Sequence, residues 1–141
     1  MLDDVVRFTF NVDGDDFSSA GAASVQVKKH LRQMGFSPDI IRRVAIAMYE
    51  GEINMVIHAD GGVATVEVTD DAIVMILEDK GPGIPDVALA MQEGYSTAKD
   101  NIRSLGFGAG MGLPNMKKYT DSMEIETELG RGTTITMKVN V

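Results

Sequence analysis

The chain has no cysteine, which excludes a disulfide framework and thiolate-ligated metal sites and allows a reducing compartment without requiring one. It also lacks a long apolar run. No stretch approaches the roughly 20 residues needed to span a bilayer, and the opening Met-Leu-Asp-Asp-Val-Val-Arg has no basic region leading into apolar sequence. The expected location is therefore cytoplasmic, away from membranes. Basic residues are in deficit, 13 against 21 acidic, for a net charge of −8. That balance opposes direct association with nucleic acid or anionic membrane, so an anionic ligand must be held by local backbone N–H groups or a metal. Internal repeats, low-complexity tracts and interdomain linkers are missing too. With 141 residues, 44% hydrophobic and 24% charged, the composition suits one self-folding domain over residues 1–141. Ten methionines read as adaptable core filling.

What is present is patterned. Val6, Phe8, Phe10 and Val12 alternate with polar residues as a first strand over 5–12, and Asp13-Gly14-Asp15-Asp16 supplies a turn. With Ser18 or Ser19 as N-cap, Ala20, Ala23, Val27, Leu31 and Met34 follow helical spacing, and Gly35 stands at the C′ position. Ser37-Pro38 is a second start signal and opens a long helix running to about Ala59. Residues 63–69 and 72–77 form an antiparallel hairpin about Asp70-Asp71. Its second strand is apolar throughout from Ile73 to Leu77, hence central, and leads into Glu78-Asp79-Lys80-Gly81-Pro82-Gly83-Ile84-Pro85, where regular pairing must stop. Residues 86–91 suit a short helix and 93–101 an aperiodic connection. Gly106, Gly108, Gly110 and Gly112 then precede a helix over 113–119, and residues 122–129 and 133–141 alternate as two last strands. This order predicts an α+β fold, a two-layer α/β sandwich with one mixed, mostly antiparallel sheet and helices on one face.

Glu50, Asn54 and His58 stand at i, i+4 and i+8 of the long helix, placing a carboxylate, an amide and an imidazole in one row. Ala47 and Gly51 beside that row leave room for a close approach, although glycine within a helix costs about 1 kcal/mol relative to alanine. Glu52 lies about 200° around the helix from Glu50 and cannot share its face. Taken singly, the row is equally a partly exposed amphipathic face and His58 a helix-end residue. Gly106 to Gly112 has the physics of a phosphate-binding loop, since glycines let backbone N–H groups turn toward an anion and the next helix offers unpaired donors. It is neither a P-loop nor the dinucleotide fingerprint. Asp79, at the end of the central strand, can accept a hydrogen bond from a ligand amino group, and Gly130-Arg131-Gly132-Thr133-Thr134 is by itself a hairpin turn.

In order and spacing, these four stretches together resemble the GHKL, or Bergerat-fold, ATPases. Glu50-Gly51-Glu52-Ile53-Asn54 is similar to the family's Glu-x-x-x-Asn box, and Asp79-Lys80-Gly81-Pro82-Gly83-Ile84 to its Asp-x-Gly-x-Gly box. Gly108-Ala109-Gly110-Met111-Gly112-Leu113 looks like the second glycine box and Gly132-Thr133 like the terminal Gly-Thr element. Within the superfamily the chain most resembles the small bacterial anti-sigma-factor and stress-switch serine kinases, through residues 83–86, 92–97 and 124–134.

The resemblance implies the Bergerat ATP-binding fold with ATP and Mg²⁺ as ligands. It implies that Asp79 receives the adenine amino group with help from Thr133, beside Gly81, Gly83 and Ile84. Asn54 would ligate Mg²⁺, Glu50 would act as general base, and Gly108, Gly110, Gly112 and Leu113 would wrap the phosphates. Arg103 or Lys99 would reach the γ-phosphate, although Ser104-Leu105-Gly106 after Arg103 departs from the family spacing. The implied activity is serine or threonine phosphorylation of a small anti-anti-sigma-like regulatory protein, with a sigma factor and a second copy of the chain as further partners. A contrasting expectation is a nucleotide-dependent binding module, an anti-sigma factor or adaptor with little transfer. The catalytic domain of a histidine kinase ranks lower, because His30 lies in the first helix with no partner dimerisation helix.

Overall fold

Alternating apolar residues build the sheet, and a computed structural model describes it together with its helices over residues 5–13, 21–59, 61–81, 83, 91 and 112–141. The elements in chain order are β1 Val6–Asp13, α1 Ala22–Gln33, α2 Pro38–Ala59, β2 Gly61–Val68, β3 Ala72–Asp79, α3 Gly112–Lys118, β4 Ser122–Glu128 and β5 Gly132–Asn140. The expected helix over 86–91 and connection over 93–101 lie outside the described residues except for Met91. Among the described residues there is one sheet in the order β1-β2-β3-β5-β4, and all four pairings are antiparallel. The α+β sandwich expected from the pattern is therefore present in its wholly antiparallel form. β3 is central, as its uninterrupted apolar run requires.

Register explains the core. Side chains alternate faces with a period of two, so cross-strand partners form rungs on one side of the sheet. Val68–Ile73–Val139, Val66–Met75–Met137–Met123 and Ala64–Leu77–Ile135–Ile125 are three such apolar rungs. The helices cover this side through Val27, Leu31, Val44, Met48 and Met116. Fully burying one such side chain contributes about 1.5–3 kcal/mol. Met48, Met55, Met75, Met116 and Met137 are all buried, in keeping with methionine as core filling. No helix among the described residues is long and apolar enough to cross a membrane.

The helix termini follow local chemistry with one exception. Ser37 Oγ accepts the Ile40 N–H at 3.3 Å, directly before Pro38 opens α2. Gly35 has φ +85°, and the Phe36 N–H reaches Leu31 O while the Gly35 N–H reaches Arg32 O, which closes α1 with a Schellman motif. The N-terminus of α1 departs from expectation. The helix begins at Ala22 after Gly21, and Gly21 contributes no side-chain cap. The capping groups come instead from α2. Glu52, 2% exposed, accepts the N–H groups of Gly21 and Ala23 on Oε2, at 3.0 and 3.1 Å, and that of Ser24 on Oε1.

Candidate active site

The fourth rung of the sheet is polar. Where the apolar rungs end, Asp79 on β3, Thr133 on β5 and Thr127 on β4 come into line on the helix-facing side. Asp79 Oδ1 accepts two backbone N–H bonds, from Gly81 at 2.9 Å and from Thr133 at 3.1 Å. Among the described residues its second oxygen makes no hydrogen bond. Thr133, 5% exposed, shares a 2.9 Å hydroxyl hydrogen bond with Thr127. The turns around this rung are close enough to exclude side chains. A β-carbon on Gly132 would collide with Asp79 O, and one on Gly83 would stand 2.7 Å from Glu128 O. Gly83 and Gly132 also have φ of +84° and +134°, which L side chains rarely adopt.

Helix α2 crosses this end of the sheet at close range. Gly51 lies directly over Leu77, and the Met55 side chain packs on Gly62, which itself abuts Glu78 and Asp79. The close approach expected beside the polar row is thus made by the sheet itself. Gly51 and Met55 face downward into the core, so Glu50 and Asn54, adjacent in sequence to them, leave from the flank of the same two turns. Glu50 is half-buried and points to α3. Its Oε1 accepts from Asn115 Nδ2 at 3.4 Å, and its Oε2 is 3.8 Å from where a Gly112 β-carbon would stand. Glu52 turns away to α1, as the 200° separation demands.

Burial raises the Glu50 carboxyl above the ordinary glutamate value, and the Asn115 hydrogen bond lowers it only in part. Glu52 is shifted upward by the same cause, opposed by its bonds to Ser24, Ala23 and Gly21. The described residues contain no cluster of three or more His, Cys, Asp or Glu that could hold a metal. Asn54 carries a neutral amide oxygen, the kind of donor that suits a cation whose other ligands come from a ligand and water. The arrangement can therefore receive an amino donor at Asp79 and a proton at Glu50.

Of the residues singled out in the sequence, Glu50, Asn54, Asp79, Gly81, Gly83, Gly112, Leu113 and Thr133 are described. Leu113 is 7% exposed and belongs to the core, so its backbone is what remains for a ligand. Ile84, Lys99, Arg103, Gly108 and Gly110 lie outside the described residues, as does the side chain of His58. Sequence reasoning missed Asn115, which lies 65 positions from Glu50, and Thr127. Helical spacing from Gly112 puts Asn115 one turn on, on the same face, and strand alternation puts Thr127 opposite Thr133.

Residues 39–141 match the family model described as histidine kinase-, DNA gyrase B- and HSP90-like ATPase. The chain is similar to the serine/threonine-protein kinase RsbT of Bacillus subtilis, 32% identical over 108 residues, 74% of this chain and 75% of that protein. It is 30% identical over 122 residues to the anti-sigma F factor of Clostridium beijerinckii, covering 82% of each. Among solved structures, the RsbU and RsbW domains of Rv1364c from Mycobacterium tuberculosis superpose with a TM-score of 0.64 at 16% identity, over 95% of this chain and 32% of that one. The mycobacterial sensor histidine kinase MprB gives 0.54 at 15%, over 96% and 97%. At such identities the structural likeness speaks for the fold.

Proposed function

The chain belongs to the histidine kinase-, DNA gyrase B- and HSP90-like ATPases, and on that premise we propose that it is an ATP-dependent protein serine/threonine kinase of the anti-sigma regulatory type. It binds ATP at the end of the sheet and transfers the γ-phosphoryl group to a serine or threonine of a small regulatory protein. The observation that carries this reading is the Glu50 carboxylate, half-buried, with one oxygen engaged by Asn115 and the other beside Gly112. A module that only holds nucleotide has no need of a desolvated base there.

Asp79 receives the adenine amino group on its second oxygen, since the first is taken by Gly81 and Thr133. Thr133 contributes its hydroxyl from the same rung, and Gly81, Gly83 and Ile84 flank the base. Gly108, Gly110, Gly112 and the backbone of Leu113 wrap the phosphates, with Arg103 or Lys99 meeting the γ-phosphate. Asn54 would hold Mg²⁺, which would supply neutralisation of phosphate charge. Glu50 takes the hydroxyl proton on Oε2 as the acceptor oxygen bonds to phosphorus and the bridging oxygen leaves with ADP. A carboxyl raised by burial is the stronger base for this step. The acceptor is an anti-anti-sigma-like protein, the chain acts in the cytoplasm, and a sigma factor and a second copy of the chain complete the partner set.

Similarity to an anti-sigma F factor favours a second reading, sequestration of a sigma factor in a nucleotide-dependent manner. Incubation with [γ-³²P]ATP and candidate partners separates the two. Label on a partner serine or threonine, lost in Glu50→Ala, supports the kinase. Stable partner capture without label in the wild type rejects it in favour of the adaptor.

A further inference from the structure

Asn115 is the one side chain among the described residues that hydrogen-bonds Glu50, and it comes from a different helix. α3 packs along α2, and its far end is tied down. Arg43 Nε donates to Tyr119 O at 3.2 Å, and the Arg43 guanidinium pairs with Asp121 at 3.1 Å. Leu113 and Met116, on either side of Asn115, are buried. Asn115 is therefore delivered by a rigid element, the condition under which a supporting residue can fix another side chain's rotamer.

We infer that Asn115 is the positioning residue for Glu50, holding Oε1 so that Oε2 is the oxygen presented at Gly112. This rests on Glu50 acting as the proton acceptor proposed above. A free glutamate turns both oxygens through the site, and only some of its rotamers aim either of them at the substrate hydroxyl. Engaging one oxygen removes that freedom and leaves the lone pairs of the other for the incoming proton. The amide suits the task because its NH₂ donates to the carboxylate without adding a charge that would quench its basicity.

The test uses the full chain with Asn115→Leu, similar in volume but without a donor, and Asn115→Gln, which keeps the amide. With Mg·ATP and a phosphoacceptor partner, Asn115→Leu should lose about tenfold or more in kcat while the Kd for ATP stays within about twofold. The acidic limb of its rate profile should move to higher pH, because the donor that opposes the burial effect on Glu50 is gone. Asn115→Gln should recover part of the loss. In the metal-free, nucleotide-free protein, the ¹³C carboxyl titration of Glu50 should move upward in Asn115→Leu. A titration that stays in place, or a uniform loss of rate with no movement of the acidic limb, overturns the inference. Transfer that survives in Glu50→Gln overturns the general-base assignment beneath it, and it does so even where the titration moves.

Discussion

The δ1 methyl of Leu77 occupies the space in which a β-carbon on Gly51 would stand. Leu77 is 1% exposed, so its methyl can move aside only by displacing other core side chains. Gly51→Ala should therefore destabilise the fold by about 1 kcal/mol net, overpacking outweighing the gain in helix propensity. In a Leu77→Ala background the collision is gone and the propensity gain remains, so the same substitution should become stabilising. Urea unfolding of the four proteins measures this reversal. Equal losses in both backgrounds would show that the methyl is not what keeps α2 free of a side chain there.

Glu52 holds three N–H groups at the start of α1. Glu52→Ala should cost about 2–4 kcal/mol, since those donors are left without partners in a buried place. Glu52→Gln keeps a single acceptor oxygen and should fall between. Hydrogen exchange localises the effect, with faster exchange at Gly21, Ala23 and Ser24 than across β3.

Asp79→Asn should separate binding from folding. The amide oxygen can still accept from Gly81 and Thr133, but its NH₂ then replaces the second oxygen and confronts a ligand amino group with a donor. Loss of at least about 2 kcal/mol of binding, roughly thirtyfold in Kd, is expected. Thermal unfolding with and without Mg·ATP reports it as a shift present in the wild type and absent in the variant. An equal shift in both would remove Asp79 from the site.

Glu50 is held in its site at a cost to stability. Its carboxyl is raised from the ordinary value of 4.5 by burial, so the folded chain binds that proton more tightly than the unfolded chain. The contribution to stability is whole below the ordinary value and is lost as the pH climbs through the raised one. Gln cannot titrate, so Glu50→Gln should gain on the wild type as the pH rises from the ordinary glutamate value through the raised one. Asp121 works in the opposite sense. It is lowered first by the Asn140 N–H, against a smaller opposing effect of burial, and then by Arg43, but it is common to both proteins and cancels in the difference. Denaturant unfolding across the pH range checks the sign, and the same variant should have lost transfer.

Much of this was legible in the chain because it is locally encoded. Ser37-Pro38 announces α2, Gly35 closes α1, and the uninterrupted run from Ile73 to Leu77 announces the central strand, each through chemistry within a few residues. Asp79 was readable as a carboxylate leaving that strand. The α1 cap was not, because it comes from Glu52, 28 to 31 positions downstream, and no local pattern encodes a donor set satisfied by another helix. The partner of Glu50 escaped for the same reason. Glu52 and Asn115 acquire their roles only when α2 has been set against α1 and α3.

The strand between β3 and β4 is β5, the last of the five in sequence. On the ribosome, β1, β2 and β3 can pair as they emerge, whereas β4 has no neighbour until Gly132–Asn140 has followed it out of the exit tunnel. Until then the growing polypeptide offers an open β3 edge rich in isoleucine and leucine to whatever is nearby. A translation product that stalls before Gly132 therefore keeps that edge unpaired, the kind of exposed strand edge that favours aggregation and chaperone capture.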